Sequence, residues 1–127
     1  MQQIGVLKST VGKALGLRQT EDIPVYIGPT NIAHIQNKHP KDYEKYGKYI
    51  SDIVTSPDYA AINTKDQSIE LVKEFVIDRE HVKVAVRVSD NGIYFARSLY
   101  ILNERRVENF IQKGTLKSIK NIDNTNE

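Results

Sequence analysis

Apolar and polar residues change their spacing at about residue 59 of this 127-residue chain. Before that point apolar positions recur at helical intervals; after it they alternate as in strands. Pro24-Val-Tyr-Ile27 reads as a short strand closed by the turn signal Gly28-Pro29. Thr30 or Asn31 can cap a helix, which then runs to about Lys38 with Ile32 and Ile35 as its apolar stripe. Pro40 stops it, because proline disfavours helical geometry in the residue before it. A second helix is predicted from about Asp42 to Thr55, where Tyr43, Tyr46, Ile50, Ile53 and Val54 share one side. Gly47 weakens that helix, and Ser56-Pro57-Asp58 ends it.

From Tyr59 the predicted elements are strands: Tyr59 to Ile62, Ile69 to Ile77, Val82 to Val88 and Ile93 to Leu102. Asp90-Asn-Gly92 is a strong hairpin signal between the last two. A two-residue loop there pairs Val88 with Phe95, Val84 with Leu99 and Ala85 with Ser98. Strict alternation then puts Ile93, Phe95, Arg97, Leu99 and Ile101 on the apolar face. The opposite face carries Lys83, Arg87, Tyr94, Ser98 and Tyr100. Asn103 can cap a closing helix with Val107, Phe110 and Ile111 inside and Gly114 just past its end. The expectation is an α+β domain: two N-terminal helices on one face of an antiparallel sheet of about four strands, then a C-terminal helix.

Composition narrows the class. The hydrophobic share of 39% and charged share of 27% suit one globular domain. No apolar run approaches the roughly 20 residues that span a bilayer, and the N-terminus shows no secretory pattern. A cytoplasmic, membrane-free setting follows as the expectation. The absence of cysteine removes disulfides and thiolate metal sites, and three histidines without HExxH spacing make zinc unexpected. No metal and no cofactor are therefore anticipated. Residues 1–20 hold Lys8, Lys13 and Arg18 but no acid, and read as a basic, loose leader. Residues 21–116 read as the folded domain and 117–127 as a polar tail.

Candidate chemistry concentrates in Asn31-Ile-Ala-His-Ile-Gln-Asn-Lys-His-Pro40. Histidine is the side chain whose ordinary pKa suits proton transfer near neutrality. His34 falls opposite the apolar stripe, beside Lys38, whereas His39 falls back near it. Each has a plain alternative: His34 a solvent-facing residue, His39 a helix-terminal residue packed on the core. The strand face with Lys83, Arg87, Ser98 and tyrosines could take phosphates and unpaired bases. RNA carries its own nucleophile, so histidines with cations could suffice to cleave it. Such a face also occurs in proteins that cleave nothing.

Six ordered pieces then add a resemblance: His34-Ile-Gln-Asn-Lys-His-Pro-Lys-Asp-Tyr-Glu-Lys-Tyr-Gly47, Ser56-Pro-Asp-Tyr59, Ser68-Ile-Glu-Leu-Val-Lys73, Val82-Lys-Val-Ala-Val-Arg87, Ala96-Arg-Ser-Leu-Tyr100 and Lys113-Gly-Thr-Leu116. Together they resemble the phage-associated barnase–EndoU–colicin–RelE-type nucleases. The resemblance implies a helix-then-sheet fold and a metal-independent endoribonuclease of phage, prophage or toxin type that leaves a cyclic phosphate. Its alternative is an inactive module that binds RNA or a protein. It implies RNA, tRNA included, as substrate and an immunity or antitoxin protein as partner. Carried over by position, His39, His34, Arg87 and Ser98 become catalytic candidates, and Lys73, Arg97, Tyr100 and Lys38 substrate-binding ones. Alternation separates Arg97 from Arg87 and Ser98; a bulged strand would reunite them.

Overall fold

The computed structural model describes residues 1–119. Its elements run β1 (Gln2–Leu7), α1 (Ser9–Ala14), β2 (Ile23–Ile27), α2 (Pro29–Lys38), α3 (Pro40–Tyr46), a 3₁₀ turn (Gly47–Tyr49), α4 (Ile50–Thr55), β3 (Tyr59–Ile62), β4 (Ile69–Phe75), β5 (Glu80–Val88), β6 (Tyr94–Ile101), α5 (Glu104–Gln112) and β7 (Lys117–Ser118). The strands form one seven-stranded sheet in the order β1-β2-β6-β5-β4-β3-β7. β2 and β6 are parallel, and every other neighbouring pair is antiparallel.

The α+β class stands, but the expected four-stranded antiparallel sheet under two N-terminal helices is corrected to a seven-stranded mixed sheet. Two strands, β1 and β7, were missed, and a third was predicted without its place in the sheet. β1 comes from the stretch read as a loose leader, and that stretch also sends Leu7 and Val11 fully into the core. β2 is the predicted Pro24–Ile27 strand, but it joins the same sheet in parallel with β6. β7 is two residues long and pairs with β3, with Leu116 and Ile119 buried on either side. The rest of the expected polar tail, residues 120–127, lies outside the described residues. The long helix from Asp42 breaks at Gly47, where the Tyr43 ring lies 3.1 Å from the position a side-chain carbon would take.

Opposed residues in antiparallel strands share a face, so register defines both surfaces of the sheet. Ile69, Leu71, Val82, Val84, Val86, Ala96 and Leu99 line one face. Ile35 of α2 and Tyr46, Ile50, Ile53 and Val54 of the following segment close over it as the main core. The other face carries a smaller cluster, in which Val107 and Ile111 of α5 cover Tyr59, Ala61 and Val72. α5 is capped as predicted: the Asn103 side chain accepts from the Arg106 backbone N–H, and Gly114 turns the chain at φ 78°. The remainder of that second face is open.

Tyr46 is the largest fully buried side chain. Its ring packs on Phe75 with centroids 4.7 Å apart. Its hydroxyl donates to Glu80 Oε1 at 2.6 Å, and Lys45 Nζ donates to the same oxygen at 2.6 Å. Those two hydrogen bonds, Lys45 first and Tyr46 second, hold the Glu80 carboxyl below its ordinary value of 4.5. A carboxyl depressed in the fold stabilises it above its unfolded pKa, and that contribution fades as pH falls through the lower folded value. Glu80→Gln should therefore flatten the acid side of the stability curve. Urea midpoints at pH 7 and pH 3 should differ less in the variant than in the native chain, with the deficit concentrated at pH 7.

Candidate active site

β6 has a partner on only part of one edge. β2 pairs with it at Tyr94 and Phe95 and then ends into Gly28. Past that point α2 and α3 lie along β6 instead. α2 starts at Pro29 and is locked by the Asn31 side chain, which accepts from the Gly28 N–H at 2.9 Å. α3 starts at Pro40, and its Asp42 Oδ2 accepts the Ile101 N–H of β6 at 3.1 Å. A side-chain oxygen thus satisfies a backbone donor of the open strand edge.

His39 is the joint between the two helices. Its N–H closes α2 on the Ile35 carbonyl, and its carbonyl accepts from Tyr43 in α3. Because Pro40 cannot continue α2, the joint leaves helical geometry at φ −139°, ψ 65°. The imidazole then lies over the open sheet face, stacked on Tyr100 with ring centroids 5.0 Å apart and planes 25° apart. Its side chain is 40% exposed, and its Nδ1 is 3.9 Å from Asp42 Oδ2. An accessible imidazole with a carboxylate behind it can carry a proton and be oriented while doing so.

Beneath Tyr100 sits Lys83, with its Nζ 4.6 Å from the ring centroid. Lys83 donates to Glu70 Oε2 at 2.7 Å, and both side chains are mostly buried. Burial alone would lower the Lys83 pKa. Its hydrogen bonds to Glu70 and Tyr100, with their charges, outweigh burial and raise it, so the ammonium is a fixed cation. Its charge is already paired, however, and its geometric role is to hold the tyrosine ring.

The predicted hairpin register holds at Val84–Leu99 and Ala85–Ser98 but slips by one residue beyond them. Val86 pairs with Ala96, so Arg97 is an extra, bulged residue. The slip exchanges faces: Tyr94 and Ala96 pack on the core, while Phe95 joins Ser98 and Tyr100 on the open side. The Val88–Phe95 pair is replaced by Val88–Tyr94 and Arg87–Phe95. Arg97, no longer bound to the apolar face, lines a pocket of about 240 Å³ with Thr30, Asn31, His34 and Phe95. It forms no ion pair among the described residues.

The candidates therefore fall into groups. His39 and Tyr100 touch. His34 and Arg97 share the adjacent pocket. Arg97 and Tyr100 are three positions apart along β6, a span of about 10 Å. Ser98 lies on the open face between these groups. Arg87 is on that face too, but four residues along β5 from Lys83, about 13 Å away, beside Asp66 and Gln67. Asp66 is held below its ordinary pKa by the Ser68 N–H first, with Arg87 adding its charge. Lys38 is exposed at the end of α2. Lys73 lies on the core side of β4, opposite Val82, and its Nζ donates to the Ser56 carbonyl at 2.8 Å, away from His39.

Sequence reading missed Asp42 and Glu70 as parts of this site. Glu70 alternates with buried Ile69 and Leu71 in β4, which marked its face, but its pairing with Lys83 needs the sheet register. His81, given no role, is buried, and its Nδ1 meets Glu104 Oε1 at 2.8 Å at the start of α5. Among the described residues no group of three or more His, Asp or Glu side chains converges as a metal ligand set.

The Lys83–Glu70 pair can be tested by unpairing it. Glu70→Ala should cost about 2–3 kcal/mol in urea unfolding, because it leaves a mostly buried ammonium without its carboxylate. Lys83→Met combined with Glu70→Leu should recover most of that loss. Equal losses for the single and double variants would show that the pair does not couple.

A family model described as phage-Barnase-EndoU-ColicinE5/D-RelE like nuclease3 matches residues 2–109. No curated protein and no solved structure matches the chain.

Proposed function

This chain belongs to the phage-Barnase-EndoU-ColicinE5/D-RelE like nuclease3 family, and on that premise we propose that it is an endoribonuclease of phage or prophage toxin type. The observation that carries the reading is the exposed His39 imidazole stacked on Tyr100 at the open edge of β6, with Asp42 behind it. The substrate supplies the 2′-hydroxyl, so the protein needs only proton carriers and a cation for the phosphate charge.

In this proposal His39 takes the 2′-hydroxyl proton. The freed oxygen attacks the adjacent phosphorus, and the bond from phosphorus to the 5′-oxygen breaks. That oxygen receives a proton from His34, leaving a 2′,3′-cyclic phosphate and a free 5′-hydroxyl. Arg97, beside His34 and without an ion-pair partner among the described residues, balances charge on the pentacoordinate phosphorus. Tyr100 and Ser98 position the strand. Lys83 contributes by fixing Tyr100, since Glu70 neutralises its own charge. The scheme routes no step through a metal.

The test is incubation of purified protein with RNA that includes tRNA and ribosomal RNA, in excess EDTA. Fragments should end in cyclic phosphate, and a 2′-deoxy residue at the cut position should abolish cleavage there. His39→Ala should slow the reaction by about 10²–10⁴-fold, the scale of one acid–base group, with an unchanged circular dichroism spectrum. Arg97→Ala should also slow it, and Lys73→Ala should not. Equal cleavage by the native chain and His39→Ala would refute the assignment. A folded protein that cuts none of these RNAs would instead be an RNA- or partner-binding module.

A further inference from the structure

The open sheet face continues past Tyr100 into a groove of about 680 Å³. One wall is the turn after β3, with Asn63, Thr64 and Lys65; the other is α5 and its cap, with Asn103, Arg106 and Phe110. Glu70, Lys83 and Tyr100 form the floor. From these residues we propose that the groove binds an unpaired RNA strand flanking the cleaved phosphate, which rests on the ribonuclease reading.

Charge and shape select this occupant. Glu70 is the one acid in the lining, and Lys83 neutralises it at 2.7 Å. Lys65 and Arg106, on opposite walls, form no ion pair among the described residues, so the groove presents two uncommitted cations. Phosphate oxygens suit that pair. Phe110 is 38% exposed at the groove, an apolar ring without full cover. A base can stack on it only if it is unpaired, because bases in an A-form duplex are covered by their neighbours. The volume suits a ligand of drug size, which is the scale of one or two nucleotides and too small to enclose a duplex. Tyr100 and Lys83 belong both to the groove floor and to the column under His39, so a strand in the groove leads directly to the imidazole.

The experiment measures binding with cleavage blocked. A fluorescent single-stranded 2′-O-methyl RNA has no free 2′-hydroxyl and can be titrated into the native protein over a range of salt. The single strand should bind more tightly than the same sequence as a duplex. Lys65→Ala/Arg106→Ala should reduce the slope of log K against log salt by about 1.4, two phosphate contacts at 0.7 each. Lys13→Ala/Arg18→Ala, charge-matched and away from the groove, should leave the slope unchanged. Phe110→Ala should weaken binding about 5- to 150-fold, the range of one base–aromatic stack. Phe110→Leu should do the same while preserving apolar packing of α5.

Native-like binding by the groove variants, or equal affinity for duplex and single strand, would overturn the proposal. So would competition by polyaspartate combined with no effect of Phe110→Leu, which would point to an acidic protein instead. Cleavage of unmodified RNA is read separately. If it is His39-dependent and insensitive to the groove variants, the groove falls and the ribonuclease reading stands. If nothing is cleaved but the binding differences hold, the groove stands and the ribonuclease reading falls.

Discussion

The architecture of the site depends on one unpaired strand edge. β2 runs parallel to β6 for two residue pairs and then turns into α2, leaving the rest of that edge of β6 without a strand partner while β5 pairs the opposite edge. An unpaired edge is a hazard in any sheet, and this one is covered by helices rather than by another strand. Asp42 captures the Ile101 N–H and thereby fixes where α3 begins. With α2 tied to Gly28 and α3 tied to Ile101, the joint between them has little freedom. His39 is that joint. Its stack on Tyr100 follows from strand-edge satisfaction, a backbone requirement, as much as from any attraction between the rings.

The bulge at Arg97 acts on the same edge. An extra residue in β6 flips the faces of everything before it while leaving Ser98, Leu99 and Tyr100 in register with β5. Phe95 turns to the open face and Ala96 to the core. A Tyr at 94 packs on the core at the periphery, where its hydroxyl can still reach water. Arg97 itself leaves the alternation and becomes available to His34.

These two features explain how far the sequence could be read. The Asn91-Gly92 turn, the alternation in β5 and the cap at Asn103 are local, and each led to the element observed. β1 and β7 carry little local signal: one is a glycine-containing stretch and the other two residues long, and both exist because a neighbouring strand offers them an edge. Gly5 illustrates the point. A side-chain carbon there would lie 2.5 Å from Thr55 Oγ1, so that glycine admits α4 against β1, a requirement invisible before the tertiary structure is known. Within the site, His39 and Tyr100 could be singled out by residue type. The Lys83–Glu70 pair, the Asp42 contact and the position of Lys73 on the core side all depend on register between strands. The bulge was foreseeable only as a remedy, since nothing in Ala96-Arg-Ser98 departs from ordinary strand composition.

The net charge of +2 is small for the nucleic-acid contact proposed above, but the distribution of charge matters more than its sum. Two acids are spent on a cation elsewhere in the fold: Glu80 and Asp78 hold Lys45 beside the Tyr46 hydroxyl. Glu70 cancels Lys83 within the site itself. Beside Tyr100 the open face keeps cations without ion-pair partners among the described residues, Arg97 on one side and Lys65 and Arg106 on the other. A strand of phosphates laid across Tyr100 would meet charge on both sides and a neutral, hydrogen-bonded column in the middle. Local pairing of this kind lets a nearly neutral chain present a directional electrostatic path, because paired charges cancel at a distance while isolated ones act over about a Debye length of 8 Å.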